Sequence, residues 1–492
     1  MYKRCAARAA PEALGLVADR GLPETRAVPP TTPPPYPPDF AWGVATAPHQ
    51  IEGGLNGPGE PRNNWAAWED SGRVERSAAG CGFWDRYPED VARAEALGLS
   101  AFRLGLEWAR VEPRPGVIDH AALGRYADIL AALRRSGMEP VVTLQHFTHP
   151  AWLGTDPWLD PAVPARFAAY AATAAVELGR HLAERHGQGP VRTWVTVNEP
   201  NSLCLATYLL RAFPRGRRVG GGRALSRALA GILMAHVQGR RAIHDAYDAA
   251  GWPAPVVTYN AWACASYAVD RYLVDLLRPE TRHHPRELGR GWRRAVGPLG
   301  VVGGILDRVL RFSVKPAAFA PLVAELGKDE DPLDVLAFDY YGPYLGDYLG
   351  WSGIKKHPWE WPARPDRMAQ FTRAYVGDHP GKSLVVLEHG LGTLPEPRGR
   401  RGRHRPDGLG RDEALTAAIH ALDSCIADGV PLAGYFHWSL IDNYEWGTYA
   451  PRFGLHGVDR GNDLARLTTD ITGVDAAATY RALIAARRAP AV

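Results

Sequence analysis

The chain has 492 residues, a length that suits about three average domains or one large α/β barrel. Hydrophobic residues make up 46% and charged residues 22%, which excludes a mostly disordered chain and allows a large core. The formal charge of +4 is too small to indicate a nucleic acid partner. The 16 Trp and 19 Tyr residues provide flat amphipathic surfaces, which suit sugars, interfaces and cores alike.

The N-terminal segment and the cysteines indicate organisation and compartment. Residues 1–38 are expected to be a flexible leader and a proline-rich linker, because PPTTPPPYPP at 29–38 forms neither a helix nor a central strand. Charges interrupt the leader, so it lacks the apolar run of a signal peptide. Five scattered cysteines without CxxC spacing indicate reduced thiols. We therefore expect a cytoplasmic protein without a membrane-spanning helix.

Eight short apolar runs follow residue 39, and longer Ala-, Leu- and Arg-rich segments separate them. Such runs are typical of strands covered on both faces, and segments such as 120–136 and 167–186 are typical of crossover helices. The runs lie at 40–45, 101–106, 140–144, 191–197, 255–259, 334–338, 383–387 and 432–436. They predict an α/β fold, a single (β/α)₈ TIM barrel with long strand-end loops over residues 39–485. A doubly wound open sheet is the alternative, although no GxGxxG follows an early strand.

Polar and aromatic side chains recur where the predicted strands end, which is where a (β/α)₈ barrel carries its chemistry. Any one of them alone would more often be structural, but together they indicate a site. They are Gln50, Arg103, His146, Asn198, Glu199, Asn260, Asp339, Tyr340, Tyr341, Glu388, His389, His437 and Trp438.

Two of these side chains are carboxylates, Glu199 after the fourth run and Glu388 after the seventh. A carboxylate at the end of a buried strand is costly unless it is used or paired. Two that face one cavity suit glycoside hydrolysis, in which one protonates the leaving oxygen and the other attacks the anomeric carbon. The alternative is a pair of salt-bridged carboxylates at the barrel rim.

Six sequence segments resemble glycoside hydrolase family 1, the β-glucosidase family, and the resemblance covers roughly residues 38–480. TWVTVNEP at 193–200 is similar to the family's acid/base motif, and VVLEHG at 385–390 is similar to its nucleophile motif. The others are DFAWGVATAPHQIEG at 39–53, FRLGLEWARVEPRPG at 102–116, TLQHFTHPAWL at 143–153 and GYFHWSLIDNYEWGTYAPRFGLHGVD at 434–459.

The resemblance implies a retaining β-glycosidase that hydrolyses unphosphorylated β-D-glycosides through a covalent glycosyl-enzyme. It implies that Glu388 is the nucleophile and Glu199 the acid/base, with carboxyl groups ~5–5.5 Å apart. Arg103 and Tyr341 are expected to hold the pKa of Glu388 low. The positions that match sugar-contacting or cavity-lining residues are Gln50, His146, Asn198, Asn260, Trp438, Glu445, Trp446 and Phe453. No metal or organic cofactor is implied, and Glu445 favours an unphosphorylated sugar because a carboxylate repels phosphate.

The chain departs from the family at Asp339 and His389, where the family usually has Asn, and in a divergent insertion at about 278–330. Residues 278–316 are rich in arginine and partly apolar. We favour a helical insertion that packs its apolar side on the barrel. Contact of about 286–312 with an anionic membrane or an amphipathic aglycone is the alternative. A second basic stretch, RGRRGRHR at 398–405, is expected to form a rim loop.

Two other functions fit the same motifs. A transglycosylase would use the same covalent intermediate with an acceptor hydroxyl in place of water, and a non-catalytic sugar-binding barrel would have lost turnover. The sequence leaves open the glycone, the aglycone and the oligomeric state.

Overall fold

The structure, a computed structural model, describes residues 33–282, 285–297, 300–342, 363–377, 379, 381–395, 405 and 407–488. All eight predicted strands are present, and they are β1 Ala41–Ala45, β2 Ala101–Gly105, β3 Glu139–Gln145, β4 Thr193–Asn198, β5 Val256–Trp262, β6 Leu336–Tyr340, β7 Leu384–His389 and β8 Leu432–Trp438. Each strand pairs in parallel with its neighbours, and β8 pairs with β1. The predicted closed barrel is confirmed, and the open sheet is wrong.

Helices connect the strands in the described part of the chain. Those before β5 are α1 Pro48–Ile51, α2 Ala66–Asp70, α3 Phe83–Ala96, α4 Trp108–Val111, α5 His120–Arg135, α6 Val163–His186, α7 Pro200–Cys204 with a π-turn at Leu205–Leu209, and α8 Gly222–Ala250. Those after β5 are α9 Arg271–Leu277, α10 Pro285–Val296, α11 Gly300–Ser313, α12 Ala320–Leu326, α13 Met368–Gly377, α14 Arg411–Ala427 and α15 Ala476–Ala485. A short antiparallel pair joins Val458–Asp459 to Ala465–Arg466.

The two crossover helices expected from sequence are confirmed as α5 and α6. Helix α6 ends at Gly187, which is left-handed with φ 63°, as a glycine after the last helical turn commonly is. It begins four residues earlier than predicted, at Val163, because Pro164 is tolerated in a first helical turn, where its missing N–H has no partner to lose.

The apolar residues form two layers, and the inner layer supports the strand-end site. The larger layer lies between barrel and helices. The smaller one is made of side chains such as Ala45, Val141, Val195 and Leu387, and it includes Trp438. Apart from Phe436 and Trp438, these inner residues are small or medium in size, and Trp438 at the end of β8 forms part of the floor of the site.

The predicted linker differs from the structure at its C-terminal end. Residues 1–32 lie outside the described residues. Tyr36 is buried, its ring contacts Phe40 and Trp42 at centroid distances of 4.7 and 5.1 Å, and its hydroxyl donates to Asp423 Oδ1 at 3.0 Å. The barrel unit therefore begins before residue 39, at Pro33, because an aromatic ring within the proline run finds an apolar site to fill.

Two arginines at the start of the divergent insertion, Arg278 and Arg282, lie inside the fold, whereas those of α10 and α11 at 290, 294, 308 and 311 are exposed. Arg278 is buried and pairs with Asp331 at 3.0 Å and with Glu280 at 3.0 Å. Arg282 is also buried, and it donates to backbone carbonyls, including that of Gly327 at 2.7 Å. Arg282 satisfies carbonyls at the ends of short helices, and Arg278 balances two acidic side chains, so both guanidinium groups have a structural task.

Helices α10 and α11 of the insertion bury some apolar residues and expose others. Trp292 is 1% exposed and packs against Tyr375 of α13 at a centroid distance of 5.3 Å. Ile305, Val309 and Phe312 lie on one side of α11 and are 59%, 47% and 71% exposed. None of the helices in the described ranges is long and apolar enough to cross a membrane.

Candidate active site

The two predicted carboxyls meet at the C-terminal mouth of the barrel. Glu199 directly follows β4 and has left-handed backbone angles, φ 37° and ψ 61°, which turn the chain from the strand into α7. Its backbone N–H donates to the carbonyl of Asn260 in β5 at 2.9 Å. Glu388 lies in β7, with its Cα in register with Asp339 of β6. Carboxylate oxygens of Glu199, Glu388 and Asp339 lie within 4.8 Å of one another.

Glu388 has a donor on each of its oxygens. Arg103 Nη1 donates to Oε1 at 2.6 Å, and the Tyr341 hydroxyl donates to Oε2 at 2.7 Å. Arg103 is itself completely buried on β2, and its Nε donates to Thr143 Oγ1 at 3.0 Å. This arrangement fixes the orientation of the carboxylate and gives its negative charge a close positive partner.

Asn198 and Asn260 extend this arrangement from Arg103 toward Asp339. Arg103 Nη2 donates to Asn198 Oδ1 at 2.6 Å, and Asn260 Nδ2 donates to the same oxygen at 2.7 Å. Asn260 Nδ2 also donates to Asp339 Oδ2. Asn198 Nδ2 lies 3.3 Å from His146 Nε2. The structure thus brings together four predicted substrate or catalytic residues with Asp339, which the sequence placed at a strand end and marked as a departure from the family.

The carboxyls of Glu199 and Glu388 have different surroundings. Burial and the charge of Glu388 raise the pKa of Glu199 to about 8, as the expected role of an acid requires. Burial also raises the pKa of Glu388, although Arg103 and Tyr341 act in the opposite direction. The expectation that these two donors hold that pKa low is therefore wrong for the free protein, because desolvation of the carboxylate outweighs both contacts.

Aromatic rings surround the space above the carboxyls. The ring of His146 is nearly parallel to those of Trp438 and Trp446, with centroids 5.6 and 5.9 Å away. Phe453 meets the ring of Tyr341 edge-on at 6.1 Å. Flat apolar faces of this kind suit the apolar face of a sugar ring.

Near these rings, Gln50 and His146 each have a buried polar atom without a hydrogen-bond partner among the described residues. Glu445 Oε1 accepts from Trp438 Nε1 at 3.2 Å, and Gln50 Nε2 donates to the carbonyl of Tyr444 at 2.9 Å. Within the described part of the chain, Gln50 Oε1 and His146 Nδ1 are buried and have no hydrogen-bond partner. Polar atoms left open in this way can receive hydroxyl groups of a ligand.

His389, the second departure from the family pattern, lies below the site rather than in it. Its Nδ1 is 2.7 Å from the Tyr435 hydroxyl, and its ring is 6.4 Å from that of Tyr340. Burial lowers its pKa to about 3, so the imidazole is neutral. The side chain therefore serves as a packed polar group beneath the barrel mouth.

Sequence reasoning missed several residues that hold the site. Thr143 fixes Arg103, and Phe147 and Phe213 pack against Trp446 at centroid distances of 4.9 and 5.6 Å. Side chains of a strand point alternately to its two faces, and Thr143 lies on the face of β3 that points into the barrel. A polar residue on that face is a signal that the sequence could have supplied. Phe213 lies in a loop, where the sequence carries no comparable signal.

One surface cluster in the described ranges has metal-ligand residue types. His120, Glu177 and His181 bring ligand atoms within 4.8 Å of one another on α5 and α6. Glu177 already pairs with Arg180 at 2.8 Å and with His120 at 3.1 Å. These pairs account for its charge, and the cluster lies on the helical surface rather than at the strand ends.

The fold and the two buried carboxyls at its mouth define a glycoside hydrolase on a (β/α)₈ barrel. The sequence model described as "Glycosyl hydrolase family 1" matches residues 32–267 and 354–485, most of the chain. The protein therefore belongs to glycosyl hydrolase family 1, and it is a β-glucosidase-like hydrolase of O-glycosyl bonds. The stretch that the family model leaves unmatched, 268–353, contains most of the divergent insertion.

Individual relatives agree with this family. The chain is 28% identical to thermostable beta-glucosidase B of Thermobispora bispora over 446 residues, and this match covers 86% of each protein. It is 26% identical over 473 residues to a 6-phospho-beta-galactosidase of Lacticaseibacillus casei, covering 86% of this chain and 94% of the relative. The structure is similar to that of the beta-glucosidase from Thermotoga maritima in complex with castanospermine, with TM-score 0.71, 22% identity, and coverage of 93% of this chain and 100% of that one.

Proposed function

We propose that the protein is a retaining β-glycosidase for unphosphorylated β-D-glycosides, with Glu388 as nucleophile and Glu199 as acid/base. The observation that carries this proposal is the short separation of the two carboxyls, whose oxygens lie within 4.8 Å. Retaining glycosidases have carboxyl groups about 5–5.5 Å apart, whereas inverting ones need about 6.5–9.5 Å to admit a water between carboxylate and sugar. The separation supports direct attack by Glu388.

In the first step, a Glu388 oxygen attacks the anomeric carbon while Glu199 gives its proton to the glycosidic oxygen. The bond to the aglycone breaks and an ester forms on Glu388. Arg103 and Tyr341 position the carboxylate through their hydrogen bonds at 2.6 and 2.7 Å. Ester formation removes the negative charge of Glu388, which lowers the pKa of Glu199. Glu199 then takes a proton from water, which attacks the same carbon from the side the aglycone left, and the bond from that carbon to Glu388 breaks.

Sugar binding in this proposal uses neutral groups around one aromatic floor. Burial and the charge of Arg103 lower the pKa of His146 well below its ordinary value, so its imidazole can both donate and accept. Trp438 provides the floor, and Gln50, Asn198 and Glu445 supply polar atoms around it. Trp446, Phe453 and Asn260 line the remaining walls.

The surroundings of Glu445 support an unphosphorylated sugar. Burial and the charge of Glu388 raise the pKa of Glu445 to about 8, while hydrogen bonds from Trp438, Asn443 and Gln50 act in the opposite direction. None of these contacts is a cation. Among the described contacts of Glu445, a phosphate dianion would meet a buried acid and no cation, which is unfavourable.

A panel of aryl β-glycosides tests the proposal. The panel varies C4 and C6 of the sugar and includes a 6-phosphate, and the first-formed anomer is read by NMR. We expect turnover of unphosphorylated substrates with a β-anomer as first product. An α-anomer, or activity confined to the 6-phosphate, would contradict the proposal. Adding an acceptor alcohol measures how much of the intermediate goes to transglycosylation.

The cysteines support a reducing compartment, and we propose the cytoplasm. Cys81, Cys204, Cys264 and Cys425 are all free and buried. Thiols that never pair are expected where disulfides do not form. Subcellular fractionation with an activity assay tests this placement, and activity in an oxidising compartment would contradict it.

A further inference from the structure

Asp339 is a third buried carboxyl beside Glu199 and Glu388. It lies in β6 in register with Glu388, and it is completely buried. The nearest positive charge is Arg103, which already pairs with Glu388 at 2.6 Å. If all three carboxyls were ionised, three negative charges would face one positive charge without water, which is a costly arrangement. At least one carboxyl of the cluster must therefore keep a proton.

The hydrogen bonds around Asn260 indicate where that proton lies. Asn260 Oδ1 accepts from Arg103 Nη2 at 3.4 Å, so its amide nitrogen points the other way and donates to Asp339 Oδ2. Asp339 Oδ2 is thus an acceptor. In the described part of the chain, Asp339 Oδ1 and Glu199 Oε1 are both buried without a hydrogen-bond partner. Because a carboxyl oxygen of Asp339 lies within 4.8 Å of one of Glu199, a proton held between the two carboxyls satisfies both.

We propose that Glu199 and Asp339 share one proton, and that Asp339 is a positioning residue that holds this proton at Glu199 between turnovers. This inference rests on the proposed acid/base role of Glu199. It assigns a role to the one site position at which this chain carries an acid in place of the family's usual Asn.

The proton transfers balance over one reaction cycle. In the first step the shared proton passes from Glu199 to the glycosidic oxygen, the bond to the aglycone breaks, and the ester forms on Glu388. The pair gains one negative charge as Glu388 loses one, so the total charge beside Arg103 stays the same. In the second step water gives a proton to Glu199, the water oxygen bonds to the sugar, and the Glu388–sugar bond breaks. The pair then shares that proton again.

A proton shared by Glu199 and Asp339 extends the activity to higher pH. Glu199, Glu388, Arg103 and Tyr341 are the ionisable groups that face Asp339 from β4, β7, β2 and β6. Burial and the charges of Glu388 and Glu199 raise the pKa of Asp339 well above its ordinary value. Two coupled acids give up their last proton at higher pH than either alone. The pair therefore keeps an acid proton available to higher pH than Glu199 alone would.

The test is the pH dependence of kcat/KM for wild type and Asp339→Asn with a phenyl β-glycoside, whose poor leaving group needs protonation. Asn keeps the shape of Asp and donates a hydrogen bond, but it does not titrate. We expect the alkaline limb to move to lower pH by about one unit or more, a loss of about tenfold at a fixed pH on that limb. The acidic limb stays in place. An alkaline limb that stays or moves to higher pH would overturn the inference.

A dinitrophenyl β-glycoside provides the control, because its leaving group needs no proton. With this substrate the alkaline limbs of the two proteins should coincide. A shift of equal size with both substrates would show that the substitution acts on Glu388 or on the fold, and it would overturn the inference.

An infrared measurement reads the shared proton without activity. The difference spectrum between wild type and Asp339→Asn should contain a protonated-carboxyl band at pH 8, and its absence would overturn the inference. If wild type hydrolyses no aryl β-glycoside, the proposed function fails, while the infrared result still decides whether the proton is shared. If wild type is active and the alkaline limbs coincide, only the inference fails.

Discussion

The strand-end site and the insertion between β5 and β6 both contain buried arginines, but they use them differently. In the site, Arg103 of β2 contacts a carboxylate and two amides that lie on three other strands. In the insertion, Arg282 contacts backbone carbonyls of neighbouring segments. The family model matches the strand ends apart from that of β6, and it leaves 268–353 unmatched. A reacting sugar requires particular groups at particular atoms, whereas a covering segment only needs to bury apolar surface and satisfy its polar groups.

Removing Glu388, the proposed nucleophile, tests the account of the strand-end site, and it should have the largest effect. Glu388→Ala should lower kcat by at least about 10⁴-fold, because only binding and the other polar groups remain. Azide should restore turnover of an activated aryl glycoside, with a product of inverted configuration. Activity above one per cent of wild type, without azide, would show that another group attacks the sugar.

Removing the acid should have a smaller effect that depends on the leaving group. Glu199→Gln should lower kcat/KM for a phenyl glycoside by about 10²–10⁴-fold, the usual contribution of a positioned acid. A dinitrophenyl glycoside should be affected less in its first step. The alkaline limb of the wild-type profile, expected at or above pH 8 from the raised pKa of Glu199, should disappear. Equal losses for both leaving groups would contradict the acid role.

Glu445→Gln should have an intermediate effect on turnover. One hydrogen bond from a neutral group is worth about 0.5–1.5 kcal/mol, so kcat/KM should fall by about 2- to 10-fold. Because the pKa of Glu445 is raised to about 8, the folded state binds a proton that the unfolded state loses near its ordinary pKa. This contribution to stability is complete below about pH 4 and is lost as pH rises through 8.

Urea unfolding of wild type and Glu445→Gln between pH 4 and 9 checks the second part of this prediction. The stability of wild type relative to the variant should fall as pH rises through that window. A difference in stability that rises with pH would contradict the raised pKa.

In the insertion, we expect effects on stability and little effect on the chemistry. Trp292→Ala should lower the free energy of unfolding by about 3–5 kcal/mol, since the ring is 1% exposed and packs on Tyr375. The activity per folded molecule should stay within about threefold of wild type. A loss of turnover in folded Trp292→Ala would show that the insertion takes part in the chemistry.

Phe312 is the exposed control for the buried Trp292 of the same insertion, because its side chain is 71% exposed. Phe312→Ser should change the free energy of unfolding by no more than about 0.5 kcal/mol. Because membrane contact through 286–312 is the less favoured hypothesis, wild type and Phe312→Ser should sediment equally with anionic liposomes. Liposome binding by wild type that the substitution removes would establish that contact instead.

Sequence predicted the barrel and the carboxyl pair because both leave strong local signals. A parallel strand covered on both faces must be continuously apolar, and the eight runs identified every strand within about two residues. Glu199 and Glu388 are visible because a carboxyl at the end of such a run has no structural reason to be there.

Other features depend on contacts between distant residues, which a single sequence does not carry. The sequence predicts that Tyr36 is part of a linker, and only the structure shows that its ring contacts Trp42. The pKa of Glu388 depends on how far burial outweighs Arg103, which only the packed site determines. Asp339 was visible as a departure, but its place between Asn260 and Glu199 was not.

The central claim is that Glu388 forms a covalent bond to the sugar, and trapping that bond tests it most directly. A 2-deoxy-2-fluoro glycoside with a dinitrophenyl leaving group slows both steps, the second more than the first, so the ester should accumulate. Mass spectrometry of the intact protein followed by peptide mapping should find one added fluorosugar on Glu388. No added mass under turnover conditions, or a sugar attached to Glu199 or Asp339, would contradict the account.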